Sequence, residues 1–156
     1  SIIETFGHKI YSRDGRLERR RLAKIVFADH ALKHQLDQIV HPYVFSEIDR
    51  QVRELPEQQR FPYILIEAAL IYETGMDKRL DRTIVVDAKE ETRIKRVMVR
   101  DKSLRKHILN RIKSQMDVKK KLARADFIIV NDGTETELIN RVKFIDRLLT
   151  IMASTE

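Results

Sequence analysis

Apolar positions along the chain follow two kinds of pattern. Three short runs are apolar without alternation: Tyr63 to Ile66 (YILI), the centre of Arg82 to Asp87 (RTIVVD), and Phe127 to Asn131 (FIIVN). Such runs suit strands covered on both faces, as in a parallel sheet wrapped by helices. They lead into Glu67, Asp87 and Asn131. In open α/β sheets ligands bind beyond the carboxyl ends of the strands, so Glu67 is either a metal or substrate group or a satisfied strand-end residue.

Elsewhere the apolar residues recur at three and four. Leu22, Ile25 and Val26, then Leu32, Leu36, Ile39 and Val40, predict two helices, with Asp29 placed to cap the second. Proline suits a first helical position and disfavours helix in the residue before it. One helix is therefore expected to stop at His41, and another, striped by Val44, Ile48 and Val52, to run from Pro42 through Leu55. Pro56 to Pro62 reads as a polar loop, and Ala68 to Asp81 as a short helix and loop broken at Gly75. Ile94, Val97 and Met98 stripe a helix after the second strand. Leu104, Ile108, Ile112 and Met116 stripe the next, with Ser103 as its N-cap, and the basic run Lys119 to Lys121 continues into a short helical segment. The turn Asn131-Asp132-Gly133 precedes a capping box of Thr134 and Glu137, which opens a last helix striped by Leu138, Val142, Ile145, Leu148 and Leu149. The fold class predicted is α/β, a parallel sheet core covered by helices.

A length of 156 residues suits one such domain. The absence of cysteine excludes disulfides, thiolate zinc sites and cysteine nucleophiles. No stretch approaches the roughly 20 apolar residues that cross a bilayer, and the chain is read as soluble and cytoplasmic. Thirty-one Lys and Arg against 24 Asp and Glu give a net charge of +7, which favours anionic partners, whether nucleic acid or a polyphosphate-bearing small molecule. Few aromatics and no Trp weaken the nucleic-acid reading, because base stacking needs platforms.

Charge placement sharpens this picture. Arg16, Arg19, Arg20 and Arg21 crowd a predicted helix start, where cations oppose the macrodipole, so they form either a solvated face or an anion site. Arg93, Arg96 and Arg100 share one side of their helix and repel one another unless acids or phosphates lie opposite, with Glu90 offering partial relief. The following helix carries Arg105, Lys106, Arg111 and Lys113 on its polar side. Between Arg100 and Ala125 there is little bulk for an independent core. That suits either an arginine-bearing flap closing over a charged substrate or a helical hairpin packed on the sheet. His41 is either a ligand contact or a histidine at a helix junction.

Taken together, DGRLERRRLAKIVF, HPYV, ALIYE, RVMVRD, RIKSQM and ADFIIVNDGT stand in the order and spacing of bacterial dephospho-coenzyme A kinase, which the chain resembles from about Phe6-Gly7 to Leu138. That family is a P-loop kinase of the nucleoside-monophosphate-kinase type. The resemblance implies transfer of the ATP γ-phosphoryl group to the ribose 3′-hydroxyl of dephospho-coenzyme A, with Mg²⁺ as cofactor and no nucleic-acid or membrane partner. It also implies an acceptor region over residues 14–55, a core over 61–101 and 125–152, and a lid over 103–121. Phosphoryl transfer asks for positioning and positive charge, which singles out Arg100 and Arg111 nearest the transferring group and Arg96 beside the nucleotide. Arg19 and His41 fall in the acceptor region, the turn with Asn131 and Gly133 is either a backbone approach to the adenine or a plain turn before a capped helix, and Glu67 is assigned an indirect role at the metal. Glu67 and Ala69 replace the family's usual Asp and Pro.

Glycines occur only at positions 7, 15, 75 and 133, so these 156 residues cannot hold a G-x-x-x-x-G-K-[ST] loop. In the family the strand leading to that loop lies between the strands at Tyr63–Glu67 and Arg82–Asp87. Without it each would expose an unpaired edge, at about 1–3 kcal/mol per orphaned buried group. A fragment lacking its front, and inactive alone, is the expectation. Two rival readings are a basic helical nucleic-acid-binding module and a non-catalytic remnant that keeps only the acceptor site.

Overall fold

The computed structural model describes residues 1–56 and 61–155, which fall into two compact units, Ser1–Arg60 and Phe61–Glu156. In the first, helix α1 (Ile2–Phe6) and a 3₁₀ turn (His8–Ile10) lead to an antiparallel bridge between Tyr11 and Leu17. Asp14-Gly15 makes the predicted turn inside that bridge, with Gly15 in the left-handed region at φ 77°. Helix α2 (Arg19–Ala28) packs Leu22 and Val26 on the fully buried Ile10, and Ile2, Phe6, Tyr11, Leu17, Ile25 and Leu36 close around them.

Helix α3 runs unbroken over His30–Arg53 with Pro42 inside it. The expected break at His41 is absent. A proline removes one helical hydrogen bond, and here packing against α2 and α1 keeps the chain helical through that loss. Asp29 caps α3 as predicted, accepting from the amides of Ala31 at 2.8 Å and Leu32 at 3.2 Å. The Pro56–Pro62 loop lies largely outside the described residues.

In the second unit, β1 (Ile84–Asp87) and β2 (Phe127–Val130) pair in parallel, Ile84 against Phe127 through Asp87 against Val130. Their entry is locked by Thr83 and Asp126. The Asp126 carboxylate accepts from the Thr83 amide at 2.7 Å and its hydroxyl at 2.9 Å, and the Phe127 amide donates to the Thr83 carbonyl.

The run Tyr63 to Ile66, expected as a first strand, forms no ladder. Strands exist only as pairs, and among the described residues no chain offers it a matching edge; Ile64 and Leu65 are exposed. Nor are both faces of the sheet covered. Ile129 is 6% exposed and its neighbour Ile128 48%, and successive side chains point to opposite faces.

Residues 69–75 form turns rather than the expected helix, and Gly75, at φ 72°, breaks them as predicted before a 3₁₀ turn at Met76–Arg79. Helix α4 (Glu90–Asp101) buries Ile94 completely, whereas Met98 is exposed. Helix α5 (Arg105–Lys113) buries Ile108 and starts from Leu104, one residue past the expected cap Ser103. Helix α6 (Val118–Leu122) holds the basic run, and α7 (Glu135–Ala153) buries Ile145 and begins with the predicted Thr134–Glu137 capping box. Among the described residues no helix is long and apolar enough to cross a membrane.

Candidate active site

Beyond the carboxyl ends of β1 and β2 the backbone and α4 are stitched together. The Asn131 amide donates to the Asp87 carbonyl at 2.7 Å, extending the ladder by one step. The Lys89 amide donates to Asp132 Oδ1 at 2.8 Å, and Arg96 Nη1 to the Asn131 carbonyl at 2.8 Å. Arg141 of α7 donates to the Val130 carbonyl. Of the three nucleotide candidates, Arg96 and Asn131 are thus brought into contact.

Gly133 has a local reason to be glycine. A Cβ built on it would lie 2.1 Å from Glu137 Oε2, which accepts from the Thr134 amide at 2.7 Å in the capping box.

The two arginines assigned to the transferring group meet at Asp101. Arg100 Nε donates to Oδ1 at 2.8 Å, and Arg111 Nη1 reaches Oδ2 at 3.4 Å from the neighbouring helix. The Arg100 hydrogen bond, helped by Arg111, holds the Asp101 carboxyl below its ordinary range and raises Arg100 in turn, against the smaller opposing effect of burial. Asp101 is the acid that offsets the repulsion between Arg100 and Arg111. The guanidiniums stay outward, with Arg100 73% and Arg111 56% exposed, so N–H donors remain for an anion. At the other end of α5, Arg105 makes a bidentate pair with Glu91 at 2.8–2.9 Å, fastening the hairpin to α4.

Sequence reasoning passed over Asp101, Glu91 and Glu73. The Glu73 carboxylate accepts from the Met116 amide at 2.8 Å and pairs with Lys121 at 2.7 Å, behind α5. Its one signal in the sequence was an acid inside the apolar run AALIYETG.

Glu67 is exposed and makes no hydrogen bond or ion pair among the described residues, where no group of three or more His, Asp or Glu could enclose a metal ion. Mg²⁺ commonly takes one or two carboxylates, with waters and substrate phosphates filling the rest. Two carboxylates are of the type that meets that demand: Glu67, after the unpaired run Tyr63 to Ile66, and Asp87 at the end of β1, whose Oδ1 is buried without a partner.

The acceptor candidates lie in the first unit. Arg19 opens α2, exposed and without an ion pair among the described residues, while Arg16 and Arg21 pair with Asp14 and Glu18. His41 is inside a helix rather than at a junction, stacked on Phe45 with Asp37 at 3.8 Å. Arg19 and His41 share no bond among the described residues.

The family model for dephospho-CoA kinase matches residues 1–137. The chain belongs to the dephospho-CoA kinase family. A dephospho-CoA kinase from Bacillus cereus is 34% identical over 144 residues, 92% of this chain and 72% of that protein. Among solved structures, TT1252 from Thermus thermophilus superposes with a TM-score of 0.79 at 30% identity, over 95% of this chain and 74% of the other. A dephospho-CoA kinase from Campylobacter jejuni gives 0.62 at 30% identity, over 94% and 73%. Dephospho-CoA kinases are phosphotransferases of coenzyme A synthesis with ATP as co-substrate, and these neighbours share the α/β kinase fold.

Proposed function

We propose that the protein transfers the γ-phosphoryl group of ATP to the ribose 3′-hydroxyl of dephospho-CoA, with Arg100 and Arg111 around the transferring group. The observation that carries this is the Arg100–Asp101–Arg111 bridge, which gathers two outward guanidiniums from adjacent helices. A metaphosphate-like transition state spreads negative charge over three equatorial oxygens, and catalysis consists mainly of placing positive groups around them. Arginine suits the task because its planar fork meets phosphate oxygens two at a time.

Arg96, with one donor on the Asn131 carbonyl, retains others for the nucleotide, and the 131–133 turn presents backbone to the adenine. Arg19 and His41 serve the acceptor, whose phosphates call for cations. Magnesium, supplied with ATP, would neutralise phosphate charge, with Glu67 and Asp87 reaching it through water. The glycine-rich loop that cradles phosphates in P-loop kinases has no counterpart in residues 1–156. The reading is therefore one of the full-length protein.

The test is conversion of dephospho-CoA to a product one phosphate heavier, by full-length protein with ATP and magnesium, followed by mass spectrometry. Turnover that requires both substrates is expected. Protein that binds ATP and phosphorylates other acceptors but leaves dephospho-CoA untouched would overturn the assignment of the substrate.

A further inference from the structure

The hairpin that carries Arg111 is held at both ends, and its second mooring is the less ordinary. Glu73 lies in the turn that follows Glu67, with its side chain 20% exposed. One carboxylate oxygen, Oε1, accepts both the Met116 amide at 2.8 Å and the Lys121 ammonium at 2.7 Å. The other, Oε2, is buried and makes no hydrogen bond among the described residues. Lys121 is 15% exposed and its Nζ also lies 3.4 Å from the Ala69 carbonyl. Next to this pair, Asp77 holds Arg124, whose guanidinium sits 4.7 Å from the centre of the Tyr72 ring, and Tyr72 donates to Thr83 at the entry of β1. The segment from Met116 to Arg124 is therefore pinned twice to one turn of the core.

A surface ion pair contributes little, yet a shielded pair broken from one side leaves a desolvated charge, which costs far more. Met116 is five residues past Arg111, with the last turn of α5 between them. Fixing the Met116 amide fixes where that helix ends, and hence where the Arg111 guanidinium can reach. Burial pushes the Glu73 carboxyl up, but Lys121 and the Met116 amide together outweigh it and the net shift is downward, so the group is a carboxylate at neutral pH.

We infer that Glu73 is a positioning residue for phosphoryl transfer: it touches no substrate, and it anchors the foot of the arginine-bearing hairpin to the turn beyond Glu67. This rests on the kinase reading for its catalytic consequence, but the anchoring itself does not.

The experiment compares full-length wild type with Glu73→Ala, with Glu73→Gln, which keeps an acceptor for the Met116 amide without the charge, and with Lys121→Met. Backbone hydrogen exchange and steady-state kinetics are read on each. In Glu73→Ala, exchange across residues 105–122 should rise about tenfold or more, with β1 and β2 unchanged, as local opening requires. The kcat for dephospho-CoA should fall about tenfold while both KM values stay within about twofold, the pattern of an interaction that matters in the transition state. Glu73→Gln and Lys121→Met should fall between. Unchanged exchange at 105–122, or an increase shared equally by β1 and β2, overturns the anchor. Faster exchange with unaltered kcat overturns the positioning role. A wild-type protein inert toward dephospho-CoA defeats the kinase reading instead, and the exchange data then decide the anchor alone.

Discussion

Arg96 reaches from α4 to the backbone carbonyl of Asn131, 2.8 Å away, and so ties the helix after β1 to the turn after β2. Nothing local links these residues, which are 35 apart in the chain. The contact fixes the height of the turn relative to the strand ends. Replacing Arg96 with Ala should cost about 1 kcal/mol, the usual net value of one such hydrogen bond. For a protein of this size that lowers Tm by roughly 2–4 °C. Arg96→Lys, with a single point charge on a flexible stem, should recover only part of it. Thermal and urea melts measure both, and identical melts for Arg96→Ala and wild type would remove the tie from the fold.

Gly133 leaves the space into which Glu137 folds back on Thr134. Gly133→Ala should push the flexible carboxylate aside and cost the N-terminal cap of α7, about 1 kcal/mol. Thr134→Ala alone should cost a similar amount. Because both changes remove the same cap, the double variant should lose clearly less than the sum. Additive losses would mean that the glycine serves something other than the cap.

Features set by neighbours four residues away or fewer were open to reading from the sequence. Asp29 before Ala31 and Leu32, and Thr134 before Glu137, need only local geometry, and both caps formed. Tyr63 to Ile66 had the composition of a strand, but a ladder requires a partner, which composition does not supply. Pro42 read as a break because the rule for proline is local, whereas the packing that carries α3 through it is not. The arginines of the candidate site were visible as a charged stripe. Their counter-ion Asp101 was not singled out, since its link to Arg111 crosses a helix boundary, and Glu73 meets Met116 only 43 residues on.

The bridge at Asp101 leads to a kinetic expectation for Arg111. Its guanidinium is 56% exposed and its ion pair with Asp101 is long, so the fold gains little from it. Arg111→Ala should leave the melt within about 0.5 kcal/mol of wild type. Phosphoryl transfer by the full-length protein should nevertheless fall about 10³-fold or more, the scale seen when a catalytic arginine is removed. Single-turnover assays beside melts separate the two effects. Equal turnover in variant and wild type would strip Arg111 of its role.

Asp126 provides a pH dependence whose sign can be worked out. The Thr83 amide, and then the Thr83 hydroxyl, hold its carboxyl below the ordinary value, against a smaller opposing effect of burial. Its folded pKa therefore lies under the unfolded value of about 3.9, and in that interval the unfolded chain binds more protons. The stabilisation is complete above about pH 4 and is lost as pH falls through the folded pKa. Asp126→Asn removes the titrating group while keeping its size. The Tm gap between wild type and variant should be widest at pH 6–7 and should close as the pH falls below the unfolded value of about 3.9 and through the lower folded one. Other depressed carboxylates, such as Asp101 and Glu91, titrate in both proteins and drop out of the difference. A gap that stays constant down to pH 2 would show that the charge on Asp126 contributes nothing at the strand entry.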